Sequence, residues 1–253
     1  EILGKRICDF DLKIEGRPLE KVVERFRGEL VSRGIVKLQP AFYLTDEWGV
    51  PEGTVAIGMP FYLADAMLLK VHKKKRAGLV EGESDEDVLR YLRHEMGHVV
   101  NYAYKLYERP DWIARFGAIT QPYLDDYRPE PWSRRHVHHL PGWYAQKHPD
   151  EDFAETFAVW MGPRAAWQRR YEGWGALQKL QYVDELLPAS FPLLSDDIGR
   201  CSSGGTLTHH RQDLSEPPPP ELTLAFIDHP VHPLPRPMRS GYERNRESPH
   251  KRP

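Results

Sequence analysis

The chain has 253 residues, and its 40% hydrophobic and 11% aromatic content suits a folded protein with a core. Its 35 basic and 37 acidic residues nearly cancel, which gives no electrostatic argument for nucleic acid or an anionic membrane as a partner. No run approaches the roughly 18 apolar residues that a membrane-spanning helix needs. We therefore expect neither a nucleic-acid partner nor a membrane partner.

Cysteine is scarce, and this limits the kinds of structure that the chain can form. Cys8 and Cys201 lie far apart and belong to no Cys-x-x-Cys pair, which excludes a zinc ribbon and argues against a disulfide framework. The first residues lack the basic and then apolar layout of a signal peptide. Both observations favour a cytoplasmic location, whereas the sequence gives no indication of oligomeric state.

The N-terminal part of the chain combines short apolar segments with an amphipathic helix. Pro18 opens a segment with apolar residues at helical spacing, and Gly34 follows its end, an asymmetry typical of helices. We predict strands at residues 7–14, 36–45 and 54–58, a helix at 18–33, a short helix or apolar connection at 61–71, and a solvated basic loop at 72–76.

The longest predicted helix comes next. Ser84 and Asp87 form a Ser-x-x-Asp capping signal, and three acids in the first turn suit the helix dipole. Pro110 ends the pattern. In between, apolar residues form one broad face: Val88, Leu89, Leu92, Met96, Val99, Val100, Ala103 and Leu106.

This helix carries the motif His94-Glu95-Met96-Gly97-His98. The two histidines are four residues apart, so they face the same way on a helix. Two imidazoles so placed can bind one Zn²⁺, and Glu95 can reach a metal-bound water as a general base. A motif this short also arises by chance, so its surroundings must decide. Here the cap, the apolar face and the histidines share one helical register.

The C-terminal half begins with a long irregular stretch. Five prolines interrupt residues 108–148, and a loop of this length in a compact domain tends to be functional. A largely buried helix follows at residues 150–161. A further helical region is predicted at residues 164–187, weakened at Gly173 and Gly175.

Beyond this region the composition changes. The end of the chain is rich in Pro, Arg and His, which is typical of disorder. We therefore predict one folded domain over residues 1–199 and a disordered, Pro-rich tail over residues 200–253. Residues 222–227 are the exception, because their apolar pattern suits a docking strand.

A catalytic zinc needs a third protein ligand and an open position for water. The metzincin class would place Gly at 101 and His at 104, and Asn101 and Tyr104 exclude it. The helix at 150–161 instead offers Glu151 and Glu155, one turn apart on an apolar helix, where an unpaired acid is costly. Local capping or salt bridges are the alternative explanation for these two acids.

Several separated motifs resemble the zinc-binding metallopeptidase family of zincin-like proteins over residues 43–187. The resemblance implies an α+β fold of the zincin type, in which a small N-terminal sheet packs on the active-site helix and the second half is mostly helical. The matching segments are Ala56-Ile57-Gly58-Met59-Pro60-Phe61-Tyr62-Leu63, residues 94–98 with Asn101-Tyr102-Ala103-Tyr104, His139-Leu140-Pro141-Gly142-Trp143-Tyr144-Ala145, and residues 148–158.

The site layout is also similar to that of gluzincins of the lethal-factor type. This resemblance implies that Glu151 is the third zinc ligand and that Glu155 supports His94 or His98. It further implies that Tyr144, seven residues before the ligand, stabilises the oxyanion. Asp152 stands where that type has an aromatic residue, so Asp152 is a weaker competitor for the ligand role.

Three histidines of the irregular stretch have no assigned role. His136, His138 and His139 lie outside any predicted helix or strand, and loop residues without a metal are the simplest interpretation. Their position just before Tyr144 makes one of them a candidate for a substrate or oxyanion contact.

The sequence thus predicts a zinc-dependent metallopeptidase that hydrolyses a peptide or protein substrate. One Zn²⁺ held by His94, His98 and Glu151 would lower the pKa of its water to about 7, with Glu95 as general base. The alternative is a zincin-like module that binds zinc without catalysis and serves interactions. Glu95 disfavours that alternative, because it is useful for catalysis and not for holding the metal.

Overall fold

A computed structural model describes residue 6 and residues 9–51, 53–76, 80–124, 126–163 and 166–186. The tail over 200–253, the segment 222–227 and the boundary near residue 199 therefore lie outside the described residues. In the described part, helices and a small two-stranded parallel sheet form the fold, in agreement with the α+β composition expected.

The first helix, α1, spans Pro18–Ser32 and matches its prediction. Its apolar residues recur at helical spacing and are buried, with Phe26 and Leu30 fully inaccessible. The chain leaves α1 through Gly34, whose φ of 78° suits glycine. The predicted strand at 7–14 is wrong over its described part, because residues 9–14 contain no strand.

Two strands form the sheet, β1 at Ala41–Thr45 and β2 at Ala56–Pro60. They pair in parallel, with Ala41 opposite Ala56. Both predicted strands exist, but β1 begins five residues later than predicted. The strand starts directly after Pro40, which has no N–H to donate to a sheet.

A short 3₁₀ turn, Phe61–Ala64, leads into α2 at Ala66–Lys75. The side chain of Asp65 caps α2 by accepting from the backbone N–H groups of Met67 at 2.8 Å and Leu68 at 3.0 Å. The prediction of a solvated loop at residues 72–76 is wrong, since 72–75 form the last turn of α2. Basic side chains are favourable there because the carboxyl end of a helix carries partial negative charge.

The central helix, α3, spans Asp85–Ala103 and begins at the predicted cap, where the Ser84 hydroxyl accepts from the backbone N–H of Asp87. One side of α3 packs against α1 and β2. The ion pair between Arg93 and Glu29, at 2.7 and 2.8 Å, joins α3 to α1. The helix ends earlier than predicted, because Lys105 adopts a left-handed conformation with φ of 47°.

Two helices after α3 bring the C-terminal half against it. Pro110 does not only stop a helix but starts α4, Pro110–Phe116, within the stretch predicted to be irregular. The next helix, α5, spans Pro149–Met161 and packs on the side of α3 that carries His94, Gly97 and His98. The crossing is so close that a Cβ on Gly97 would lie 2.6 Å from the Cα of Ala154.

The described chain ends with α6, Trp167–Arg170, and a helix over residues 176–186, here α7. These two helices replace the single interrupted region predicted at 164–187, and the separation falls at the two glycines noted there. Among the described residues, no helix combines the length and apolar character needed to cross a membrane.

Candidate metal centre

Two imidazoles on α3 form the first half of the site. Because His94 and His98 are one turn apart, their rings point to the same side, and their Nε2 atoms lie 3.2 Å apart. Both side chains are buried. The helical spacing therefore places two nitrogen donors side by side in the protein interior.

Glu151 supplies the third donor from α5. Its Oε2 atom lies 3.0 Å from Nε2 of His94 and 3.4 Å from Nε2 of His98, and it has no hydrogen-bond partner although it is buried. A zinc ion about 2.0–2.1 Å from tetrahedral donors would hold them roughly 3.4 Å apart. The three atoms come close to that spacing, so His94, His98 and Glu151 are placed to bind a metal ion.

Glu155 orients His94 from one turn further along α5. Its Oε1 lies 2.9 Å from Nδ1 of His94, and its Oε2 accepts from the backbone N–H groups of Leu140 at 2.9 Å and His139 at 3.3 Å. A carboxylate that accepts from Nδ1 keeps the proton of the neutral ring on that nitrogen. The lone pair of Nε2 then points into the space between the three donor atoms. Glu155, to which the resemblance gives the role of supporting a ligand histidine, thus lies in contact with His94.

Asp150 lies in the corresponding position beside His98, and the sequence analysis did not identify it. Its Oδ2 lies 3.0 Å from Nδ1 of His98, and the carboxylate also accepts from Asn101 at 2.7 Å and from the hydroxyl of Tyr102. The sequence contained an indication of this contact, because a ligand histidine needs a hydrogen-bond partner for its second ring nitrogen. Since α3 and α5 run antiparallel, the acid that faces His98 must precede in the chain the acid that faces His94.

The centre concentrates negative charge. Burial lowers the pKa of His94, but Glu151 and Glu155 outweigh it and raise the pKa to about 9. Burial likewise lowers the pKa of His98, and Asp150 and Glu151 raise it well above its ordinary value. In Glu151 burial raises the pKa, whereas His98 and His94 bring it well below its ordinary value. The surroundings therefore favour positive charge, supplied either by protons on the imidazoles or by a cation.

Glu95 is buried on α3 next to His94. Burial raises the pKa of its carboxyl group, and the positive charge of protonated His94 opposes that effect. Glu95 lies close enough to Tyr43 and Glu81 to raise their pKa as well, to about 12 and about 7 respectively, in both cases after burial as the main cause. The group expected to act as general base is thus held where a proton binds more tightly than in water.

Tyr144 and Tyr123 cover the carboxylate side of the centre. Tyr144 opens a short 3₁₀ turn, Tyr144–Gln146, and its ring lies 5.6 Å from that of His94. Its hydroxyl is 3.1 Å from that of Tyr123, which donates a hydrogen bond to Oε1 of Glu151. Tyr144, which the resemblance makes the stabiliser of the oxyanion, therefore lies close to one of the donors. Tyr123 was overlooked because no local pattern relates it to Glu151.

The remaining candidates lie outside the group of three donors. The carboxylate of Asp152 accepts from Lys179 of α7, and burial raises its pKa to about 7 although Lys179 opposes the shift. His136 lies 3.8 Å from Asp152, and His138 belongs to an aromatic cluster with Trp143 and Trp174. His139 contributes its backbone N–H to Glu155, while its ring Nε2 bonds to the carbonyl oxygen of Arg90.

Comparison of the chain with protein-family models, with curated proteins and with solved structures gave no match.

Proposed function

We propose that the protein is a zinc-dependent peptidase with a gluzincin-type site in a zincin-like fold, acting on a peptide or protein. The observation that carries the proposal is the convergence of His94, His98 and Glu151, with an acid directly after the first histidine. Two imidazoles and one carboxylate are the donor set of several catalytic zinc sites. The choice of zinc as the metal and of a peptide or protein as the substrate both belong to this proposal.

The chemistry divides between the metal and the side chains of this chain. Zinc bound by the three donors would lower the pKa of its water to about 7 and polarise the substrate carbonyl. Glu95 accepts a proton from the attacking water and returns it to the leaving amine. Its buried position supports this role, because burial raises its pKa and so favours acceptance of a proton from the water before the proton is passed to the amine.

Tyr144 and Glu155 have separate parts in the proposed reaction. The hydroxyl of Tyr144 donates to the oxygen that becomes negative in the tetrahedral intermediate. Glu155 touches neither substrate nor the reacting atoms, and it acts by fixing the ring of His94. The Tyr123 hydroxyl lies between Tyr144 and Glu151, so it helps to position both.

A zinc-binding module without catalytic activity is the second candidate, and the burial of the site favours it. His94 is 2% exposed, Glu151 5% and His98 7%, so a peptide needs a rearrangement to reach them. A metal enclosed in this way resembles a structural site, in which no position is open to substrate.

One experiment separates the two candidates. We expect elemental analysis of the full chain to give one zinc per molecule, and a peptide library to be cleaved in a chelator-sensitive reaction. Glu95→Gln should keep the zinc and lose cleavage, whereas the control Asp85→Asn, an exposed acid on the same helix, should keep both. Zinc without cleavage would favour the structural module, and absence of zinc would remove the metal assignment.

A further inference from the structure

A groove of about 660 Å³ lies at one end of the contact between α3 and α5, where α6 forms its outer side. Arg90 and Arg93 line it from α3, and Arg169 and Arg170 line it from α6. We call it the arginine groove. Glu86 is the acid that also lines it, so arginine side chains dominate its charged surface.

The ion pairs of these residues leave the arginine groove positively charged. Glu86 is neutralised by Arg25, which lies outside the groove. Arg93 is likewise neutralised by its two contacts with Glu29.

The other three arginines remain available. Arg90 lies 3.7 Å from Asp87, and 44% of its side chain is exposed. Arg169 and Arg170 are exposed, and neither forms an ion pair with a residue in the described ranges. The Arg170 guanidinium donates one hydrogen bond of 3.4 Å to the backbone carbonyl of His138 and lies over the ring of Tyr171, and its remaining N–H groups are not used there. Three guanidinium groups can therefore face a ligand without first breaking a buried ion pair.

A small apolar wall completes the arginine groove. Only 4% of Trp167 is exposed, and this residue lines the groove together with Ala158 and Val159. The volume falls within the range of about 300–1,000 Å³ that small-molecule sites occupy. Guanidinium groups bind carboxylate and phosphate through paired N–H donors, so wall and arginines together suit a molecule with one apolar and one anionic part.

We propose that the arginine groove binds a small organic anion, with a phosphate or carboxylate group held by Arg90, Arg169 and Arg170 and an apolar body against Trp167. This site is distinct from the metal centre. His139 lies between them, since its ring bonds to the carbonyl of Arg90 and its backbone to Glu155. The proposal therefore stands or falls independently of the proposed peptidase activity.

The test is calorimetric titration of the full chain with 1-naphthyl phosphate, 1-naphthoate and neutral 1-naphthol. We expect saturable one-to-one binding of at least one anion and none of naphthol; the tighter anion identifies the favoured anionic group. Arg169→Gln and Arg90→Gln should each weaken binding about tenfold, as loss of a hydrogen bond between charged groups does.

Two controls keep the result specific. Arg135→Gln removes an arginine that is 76% exposed and lies outside the groove, and binding should be unchanged. Glu151→Ala removes a metal donor, and binding should persist, which excludes an anion held by the metal. Absence of binding by both anions, equal binding of naphthol, an equal loss in Arg135→Gln, or loss of binding in folded Glu151→Ala would each overturn the proposal. Circular dichroism checks that each variant is folded.

Discussion

The two sides of α3 differ in what holds them against their neighbours. Toward α1 and β2 the buried side chains are mainly apolar, with Leu89, Leu92 and Met96 fully inaccessible, and the Arg93 ion pair to α1 is added to them. Toward α5 the contacts join imidazoles to carboxylates, among them His94 to Glu155 and His98 to Asp150. Apolar burial stabilises a fold without further help, whereas buried charges are costly unless they are paired or bind a metal. We conclude that one side of α3 maintains the fold and the other depends on the charge it encloses.

Glu151→Ala should have the largest effect on the α5 side. It removes one of three donors, so zinc affinity should fall by more than the roughly 100-fold that loss of a supporting residue costs. Zinc titration against a competing chelator measures it. The matched control is Asp152→Asn, the next residue on α5, which should keep zinc because it faces Lys179. If Asp152→Asn lost its zinc and Glu151→Ala kept it, Asp152 would be the third donor in place of Glu151.

Leu92→Ala tests the apolar side. Leu92 is fully buried, so the truncation should lower the free energy of unfolding by about 2–5 kcal/mol. Folded protein should still bind one zinc, because Leu92 faces away from α5. Urea denaturation and metal analysis of the same sample check both parts. A variant that loses its zinc while remaining folded would show that the two sides of α3 are not separable.

Gly97→Ala acts on the approach of the two helices. The new Cβ would lie 2.6 Å from the Cα of Ala154, and backbone atoms cannot move aside cheaply. We expect a loss of about 1–3 kcal/mol in stability, together with weaker zinc binding. Gly28→Ala is the control, since its Cβ meets nothing within 4 Å on α1, and it should stabilise by about 0.5–1 kcal/mol. Identical effects at both glycines would contradict the close approach.

Glu155→Gln should have a milder effect than loss of a donor. The amide can still occupy the space beside Nδ1 of His94, but it does not enforce the same proton position, so zinc affinity should fall about 10–100-fold. Asp150→Asn should give a similar loss through His98. Competition with a fluorescent zinc chelator measures both. Unchanged affinity in both variants would show that the outer carboxylates do not support the metal.

The last expected effect is on pH dependence. His94 has a pKa raised from 6.5 to about 9, so its contribution to the stability of the metal-free protein is complete below pH 6.5 and is lost as pH rises through 9. Zinc needs the deprotonated ring, so its stabilising effect should grow over the same interval. Thermal melts with and without zinc should therefore diverge from pH 6.5 to 9. Parallel curves would argue against metal binding at His94.

Local patterns predicted much of this arrangement. The Ser84 cap, the apolar face of α3 and the four-residue spacings depend on residues close in sequence. They placed the two histidines on one side of α3 and two acids one turn apart on α5, whereas the separate roles of Glu151 and Glu155 came from the resemblance. The helix at Pro149–Met161 was predicted to within one residue. Spacing along a helix decides which side chains share a side, and sequence displays that spacing directly.

Contacts between distant segments were not predictable in the same way. The hydrogen bond of Tyr123 to Glu151 depends on the path of the irregular stretch, and the need for glycine at position 97 depends on a helix more than fifty residues later. The basic end of α2 was misread because charge density suggested solvent, whereas the Asp65 cap and the helix dipole favour a helix. The first two features depend on a partner that is distant in the sequence, whereas the third could have been predicted from the local cap.

The first turn of α5 has a consequence for which changes in chain length the protein can tolerate. Three consecutive acids face different sets of partners: Asp150 faces His98, Glu151 faces both imidazoles, and Asp152 faces Lys179. One inserted residue turns the following part of a helix by about 100°. Each acid would then face the partner that belongs to the neighbouring acid. Insertions and deletions should therefore be excluded between positions 149 and 155, while substitutions that keep the charge order remain open to evolution.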